Sequence, residues 1–221
     1  MSARTFNDFA AIPRRQYGAI RADCPWYFKC FGAKGTGRGA FSHYDLMSDD
    51  ELRALPLGDI AAKNCMLWLW VPIPLRQLGM ELISLWGFRF ATVGFTWIKP
   101  IKGKPSPHVV EKWGAATAGF RICNGYYTRA NPEECILAVR GKPRILRHDI
   151  PQLIVEPLRE HSRKPDAARE RIALLTAGPF IELFARETAP GWDCWGDQAG
   201  LFDNGHVETR RQRSTLTGVP R

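Results

Sequence analysis

The four residues Asp23-Cys24-Pro25-Trp26 put a carboxylate, a restrained turn and an aromatic ring side by side. That set suits chemistry on an aromatic amine such as the exocyclic nitrogen of adenine. The lone pair of that nitrogen is delocalised into the ring, so it is a weak nucleophile. Asp23 and the carbonyl of Cys24 can each accept one of its N–H bonds. This pulls the nitrogen toward a tetrahedral shape and aims its lone pair at an electrophilic carbon. Pro25 fixes the turn, and Trp26 offers a stacking face to a base taken out of its helix. The same four residues also fit an Asp23 that only closes a turn and a Trp26 that belongs to the core.

Other chemistry-bearing residues fall in two stretches. Gly32, Gly35, Gly37 and Gly39 punctuate a basic loop from Lys29 to Ala40. It lacks the Lys-Ser/Thr ending of a phosphate cradle and opens no helix, so a substrate loop is expected instead. There Lys34 and Arg38 either touch phosphates or are ordinary solvated charges. Tyr44 either stacks on the target base or packs on Trp26. From Lys99 to Arg129 periodicity is lost, while Lys99, Lys102, Lys104, Lys112 and Arg121 are interleaved with Trp113, Phe120, Tyr126 and Tyr127. Stacking on bases and pairing with phosphates use those residue types. Residues 99–129 are therefore the expected target-recognition segment, the alternative being a loose insertion. His161 reads as a capping or surface residue, because an amine that sheds its proton after substitution needs no strong base.

The elements that must position these residues alternate in type. Tyr17 to Ala22 reads as a strand, which puts Asp23 at a carboxyl end, where open α/β sheets bind ligands. Ser48 with Glu51 forms a capping box that opens a helix stopping near Pro56. Strands are expected at Met66–Val71, Phe90–Ile98, Glu134–Arg140, Gln152–Glu156 and Phe180–Phe184. Helices are expected from Leu75 to Gly87 and from Pro165 to Thr176. The alternation predicts an α/β sheet covered on both faces. Residues 1–203 are expected to form one domain, followed by a basic tail over 204–221.

Composition agrees. With 221 residues, 45% of them hydrophobic, the chain can bury a core without staples. A formal net charge of +9 favours a polyanionic partner, nucleic acid first. The longest apolar run, Cys65 to Leu75, is broken by Pro72 and Pro74 and falls short of the roughly 20 residues of a membrane span. Met1 to Phe9 lacks the apolar centre of a signal peptide. A cytoplasmic protein with no membrane partner is expected. The six cysteines are scattered, with no Cys-x-x-Cys pair and no histidine at ligand spacing, so reduced core thiols and no metal are expected.

Three further stretches follow the first motif in order: His161-Ser162-Arg163-Lys164-Pro165-Asp166, Ile181-Glu182-Leu183-Phe184-Ala185-Arg186, and Gly191-Trp192-Asp193-Cys194-Trp195-Gly196-Asp197-Gln198. Together the four motifs resemble the MT-A70 family of S-adenosylmethionine-dependent N(6)-adenine methyltransferases, over roughly Tyr17 to Gln198. The stretches His43-Tyr44, Trp97-Ile98-Lys99, Asn124 to Arg129 and Arg140-Gly141-Lys142 look like its phage branch.

The resemblance implies a Rossmann-like methyltransferase fold with a mostly parallel sheet, helices on both faces and permuted motif order, the catalytic strand preceding the cofactor strand. It implies that Asp23, Cys24, Pro25 and Trp26 hold the target amine and base. It further implies that Lys164 contacts the donor, that the strand from Glu182 to Arg186 reaches the ribose, and that Asp197 and Gln198 border the donor's ribose and adenine. The implied donor is S-adenosylmethionine. The implied substrate is double-stranded DNA with a flipped adenine, RNA being the alternative, and the chain works as a homodimer or beside a related subunit. DNA comes first because the compact phage-type members lack the extra RNA-binding domains of the eukaryotic enzymes. One departure concerns the catalytic motif, where Cys24 replaces the family's first proline. The carbonyl remains, and Pro25 still restrains the preceding residue. Some relatives with altered motifs are silent partners, so a binding-only protein is the alternative reading, and a small-molecule methyltransferase a third.

Overall fold

The computed structural model describes residues 3–27, 46–122, 126–160 and 163–203. Its strands are β1 (Thr5–Phe6), β2 (Tyr17–Ala22), β3 (Ala61–Val71), β4 (Arg89–Ile98), β5 (Glu133–Arg140), β6 (Leu153–Val155), β7 (Phe180–Leu183) and β8 (Trp192–Trp195). They form one sheet in the order β1-β8-β7-β2-β3-β5-β4-β6. Only β5 runs antiparallel to its neighbours, β3 and β4; every other pairing is parallel. The mostly parallel α/β sheet is the architecture that the sequence implies.

The helices are α1 (Asp49–Ala54), α2 (Leu57–Ile60), α3 (Arg76–Leu85), α4 (Pro107–Trp113), α5 (Ala115–Ala118) and α6 (Asp166–Leu175). The capping box at α1 is formed: Glu51 N–H donates to the Ser48 hydroxyl at 3.3 Å, and Ser48 N–H donates to the Glu51 carboxylate at 2.7 Å. Both faces of the sheet are covered, because a parallel strand that leaves either face open would expose half its apolar residues. On one face Ile20, Ala22, Leu67, Leu69 and Ile181 pack against Leu52, Leu57, Leu78 and Leu82 of α1 to α3. On the other, Ala19, Met66, Trp68, Trp70, Phe95 and Trp97 pack against Ala168 and Ile172 of α6. Truncating a fully buried member such as Ile20 to alanine is expected to cost about 2–5 kcal/mol.

Besides the short unexpected helix α2, the structure departs from the expected elements in three places. β3 starts at Ala61, five residues before the apolar run at Met66, because its polar start still pairs with Tyr17 and Arg140. β1 and β8 were not expected as strands. Two-residue β1 has no periodicity of its own and is held by long-range contacts: Asp193 of β8 accepts from Arg4 N–H at 2.8 Å and from the Tyr17 hydroxyl at 2.7 Å. Within 99–129, where no periodicity was visible, α4 and α5 form. Their signals were punctuation rather than pattern: Ser106-Pro107 at the start, and Gly114 between them at φ 80°, which favours glycine.

Candidate active site

All parallel strands deliver their carboxyl ends to one edge of the sheet. Asp23 follows β2, Lys99 follows β4, Phe184 to Arg186 follow β7, and Gly196 to Gln198 follow β8. Because β5 is reversed, its first residue, Glu133, lies at that same edge. The chain leaves β2 to form β3 on one side and returns as β7 on the other, which makes β2 the switch point where a crevice opens. Asp23 stands at its mouth.

Four charged side chains alternate in sign there. The Lys164 ammonium donates to the Asp23 carboxylate at 2.7 Å and approaches Glu133 at 3.4 Å. Glu133 also pairs with Lys99, whose side chain is 1% exposed and whose ammonium lies 4.7 Å from the Trp97 ring centre. Lys164 is itself 9% exposed and stands 5.7 Å from the Trp70 ring centre. Burial pushes the Asp23 carboxyl above its ordinary value, and Lys164 opposes that rise. Burial would raise Glu133 as well, but Lys164 and Lys99 together overcome it and bring the group down to about 2. At Asp23 burial prevails and Glu133 adds to the rise, while Lys164 limits it.

The catalytic motif itself is tightly laced. Trp26 N–H donates to the Cys24 carbonyl at 2.8 Å and Met47 N–H to the Pro25 carbonyl at 3.0 Å. A carbonyl oxygen has two lone pairs, so the Cys24 carbonyl keeps one for a further donor. The Cys24 thiol is buried, and burial pushes it well above its ordinary value, which leaves it inert. Trp26 is only 5% exposed, and its indole N–H donates to the Trp70 carbonyl at 2.9 Å. The geometry gives Trp26 a core placement, with its polar edge bonded inside the fold and little of its ring reaching solvent.

Two motifs meet at the ends of β7 and β8. Arg186 Nε donates to Gln198 Oε1 at 2.8 Å, and the guanidinium lies 4.8 Å from the Phe202 ring centre. Ala185 N–H donates to the Trp195 carbonyl at 2.9 Å. A Cβ on Gly196 would come within 2.7 Å of the Ala185 nitrogen, so only glycine lets these two turns approach. Phe184 holds φ at 59°, a strained left-handed conformation for a bulky residue, where the chain turns out of β7. A guanidinium and an amide side by side offer the donors and acceptor that a ribose diol requires, so these residues fit the implied donor. Asp197 is exposed beside them.

Two expected contacts are placed differently. Glu182 faces neither the crevice nor solvent. Its carboxylate binds Arg21 of β2 at 2.7 Å and Arg169 of α6 at 3.1 Å, which ties the catalytic strand to its neighbour β7. Lys99 is buried in the network instead of presenting its charge to a phosphate. Glu133, Arg21 and Arg169 were missed by the sequence reading. The Glu133-Glu134 doublet opening an alternating apolar run was the available signal, since alternation sends one of the pair to each face.

Lys34, Arg38 and Tyr44, together with Cys30, Cys123 and His161, lie outside the described residues. Trp113 and Tyr127 are well exposed in the 99–129 segment. Among the described residues no three His, Cys, Asp or Glu side chains cluster as metal ligands, and no helix is long and apolar enough to cross a membrane.

Known proteins bear on this geometry. The family model MT-A70 matches residues 17–198, which include every site residue placed above. The chain is 30% identical over 207 residues to the Type II methyltransferase M.MunI of Mycoplasma sp, covering 85% of this chain and 80% of that protein. It is 29% identical to a putative N(6)-adenosine-methyltransferase MT-A70-like protein of Medicago truncatula, covering 86% of this chain but 28% of the other. It is 26% identical to the human N(6)-adenosine-methyltransferase catalytic subunit METTL3, covering 90% of this chain and 31% of the other. The chain thus spans four-fifths of the bacterial relative and about a third or less of these two eukaryotic ones.

Proposed function

This chain belongs to the MT-A70 family, and we propose that it transfers a methyl group from S-adenosylmethionine to the N(6) amine of adenine in double-stranded DNA. The observation that carries the proposal is Asp23 at the crevice mouth, paired with Lys164 at 2.7 Å, on the edge of the sheet that also carries Arg186 and Gln198. S-adenosylmethionine, when bound, supplies an electrophilic methyl carried on a sulfonium centre. Arg186, Gln198 and Asp197 hold its ribose and adenine side.

The adenine amine donates one N–H to Asp23 and the other to the remaining lone pair of the Cys24 carbonyl. Both acceptors localise the nitrogen lone pair. As the new C–N bond forms, the C–S bond breaks, and S-adenosylhomocysteine is the other product. The nitrogen, now positively charged, releases its surplus proton along the hydrogen bond to Asp23, which passes it to water. Lys164 favours the accepting, ionised form of Asp23 before the step, and Glu133 holds Lys164 in place. Such a positioned acceptor acts mainly by electrostatic preorganisation.

DNA is favoured because the relative of matching length carries the name Type II methyltransferase. The much longer adenosine methyltransferases have most of their chain elsewhere. Residues 1–203 form the methyltransferase unit in this reading, and 99–129 contact the target, with Trp113, Tyr126 and Tyr127 as stacking surfaces. The chain acts on a flipped adenine, as a homodimer or with a related subunit, in the cytoplasm. Cys24 favours a second reading, a silent relative that binds nucleic acid without methylating it.

The test is incubation of the purified chain with labelled S-adenosylmethionine and unmodified duplex DNA, followed by nucleoside analysis. Label in N(6)-methyladenine is the expected result. Donor binding with no label in DNA or RNA would sustain the silent-relative reading, and label in RNA alone would change the substrate.

A further inference from the structure

The opposite edge of the sheet, at the amino ends of its parallel strands, carries a cavity of about 750 Å³. Its walls come from the residues before β2, from α1 and α2, the start of β3, the end of α3 and the last residue of β5. Arg14, Arg15, Arg53, Lys63 and Arg140 line it, and Asp59 is the only carboxylate among the lining residues.

Arg140 forms the floor. Its guanidinium donates to the carbonyls of Gly58 at 2.6 Å, Trp86 at 2.8 Å and Gly87 at 3.1 Å. Cβ atoms on Gly58 and Gly87 would come within 2.8 and 2.5 Å of its Nη2, so those glycines admit the cation. The carbonyls accept its hydrogen bonds without cancelling its charge. A floor that would present acceptors, at the negative end of α3, is thereby made cationic.

The other cations differ in how far they are satisfied. Arg53 is balanced by Glu81 at 2.7 Å and Asp50 at 2.9 Å. Arg14 reaches Asp59 only at 3.4 Å, between two largely exposed side chains. Arg15 and Lys63 have no side-chain partner among the described residues. Arg15 also holds φ at 53°, although it is not glycine, and its N–H is fixed by the Asp59 carbonyl at 2.8 Å. A strained residue at a cavity rim is a mark of a site rather than of a passive surface.

We propose that this cavity binds a phosphate-bearing ligand, with Arg15 and Lys63 meeting the phosphate and Arg140 supplying charge from beneath. The volume is that of a small-molecule site. Guanidinium forks match phosphate oxygens, and Leu55, Pro56 and Leu85 add an apolar wall. This is not the place of the target base, because the run of β2 from Tyr17 to Asp23 separates the two by about 20 Å. The phosphate comes either from a free nucleotide or from the backbone of a nucleic-acid segment beyond the one held at Asp23.

The experiment compares the full chain with the double variant Arg15→Gly/Lys63→Ala, and with Arg147→Ala as a cation removed outside the cavity. Glycine at position 15 relieves the backbone strain, and both side chains are exposed, so an unchanged melting temperature is expected. Three titrations at low salt use ATP, a duplex of about one helical turn, and a duplex of about four turns. ATP binding that weakens about tenfold or more in the double variant, and not in Arg147→Ala, supports the free nucleotide as source. Unweakened ATP binding, with an equal loss confined to the long duplex, supports the backbone as source. If the double variant matches Arg147→Ala in all three titrations, the proposal is overturned. None of these readouts requires methyl transfer, so they stand apart from the outcome at Asp23.

Discussion

Lys164 and Asp23 are 141 positions apart in sequence and 2.7 Å apart in space. The contact joins the turn after the catalytic strand to the turn before α6, and it opposes the rise that burial imposes on the group expected to grip the target amine. Removing the carboxylate is expected to remove the reaction while sparing binding. Asp23→Asn should lower methyl transfer to DNA by about 10²-fold or more, with DNA affinity within about threefold of the parent. Filter binding beside nucleoside analysis checks both halves.

The pH dependence has a definite sign. Burial raises the Asp23 carboxyl and Lys164 lowers it, so the net rise is smaller than burial alone would give. The carboxylate must be ionised to accept an N–H bond. Activity should therefore fall as pH drops through a value above the ordinary carboxylate range. Lys164→Met removes the opposing charge, and the acid limb of kcat should move to higher pH. A limb that stays in place would sever Lys164 from the ionisation of Asp23.

Glu133 titrates in the opposite sense. Its folded value of about 2 lies below the ordinary glutamate value, so its contribution to stability is present above about pH 4.3 and is lost as pH falls toward 2. With its side chain about a third exposed, solvent screening reduces that contribution to the order of 1–2 kcal/mol. Glu133→Gln should unfold at lower denaturant concentration at pH 7, and the gap from the parent should narrow as pH falls below 4. Urea melts at a series of pH values read this out.

On the donor side, Arg186→Ala deletes the partner of Gln198 and the cation stacked on Phe202. The KM for S-adenosylmethionine should rise about tenfold to a hundredfold. The KM for DNA should move little. A larger change in the DNA constant than in the donor constant would place Arg186 on the nucleic-acid side instead.

Tyr127 is fully exposed, with φ at 61°, and Thr128 N–H donates across it to the Tyr126 carbonyl at 2.7 Å. Tyr127→Gly relieves that backbone and removes the ring. Stability should hold or rise slightly, while affinity for DNA drops about tenfold through lost stacking. Thermal melts and fluorescence anisotropy separate the two effects.

Much of the architecture was legible because its signals are local. The apolar run of β2, the Ser48–Glu51 box and the Pro-headed α6 each carry their own pattern. β1, the start of β3 and the pairing of β8 do not, since Thr5 and Ala61 become strand only by lying beside Cys194 and Tyr17. The site divides the same way. Asp23, Lys164, Arg186 and Gln198 stand in recognisable motifs, whereas Glu133 belongs to the site only because its strand is reversed. Trp26 and Lys99 have residue types suited to nucleic acid, but nothing in sequence separates an indole that stacks from one whose N–H is bonded beneath the surface.

That reversed strand has a consequence for how such a protein can diversify. Lys99 follows β4, Glu133 begins β5, and the two are joined as an ion pair, with Arg121 N–H also donating to the Lys99 carbonyl at 2.8 Å. The intervening stretch thus leaves and re-enters the sheet at one fixed point. With its ends pinned in this way, its length and content are expected to tolerate rewriting while the clasp beneath it, and the charges around Asp23, keep their positions. In the proposed reading, where residues 99–129 contact the target, transplanting the corresponding stretch of a relative between these two residues is expected to redirect the protein without rebuilding its chemistry.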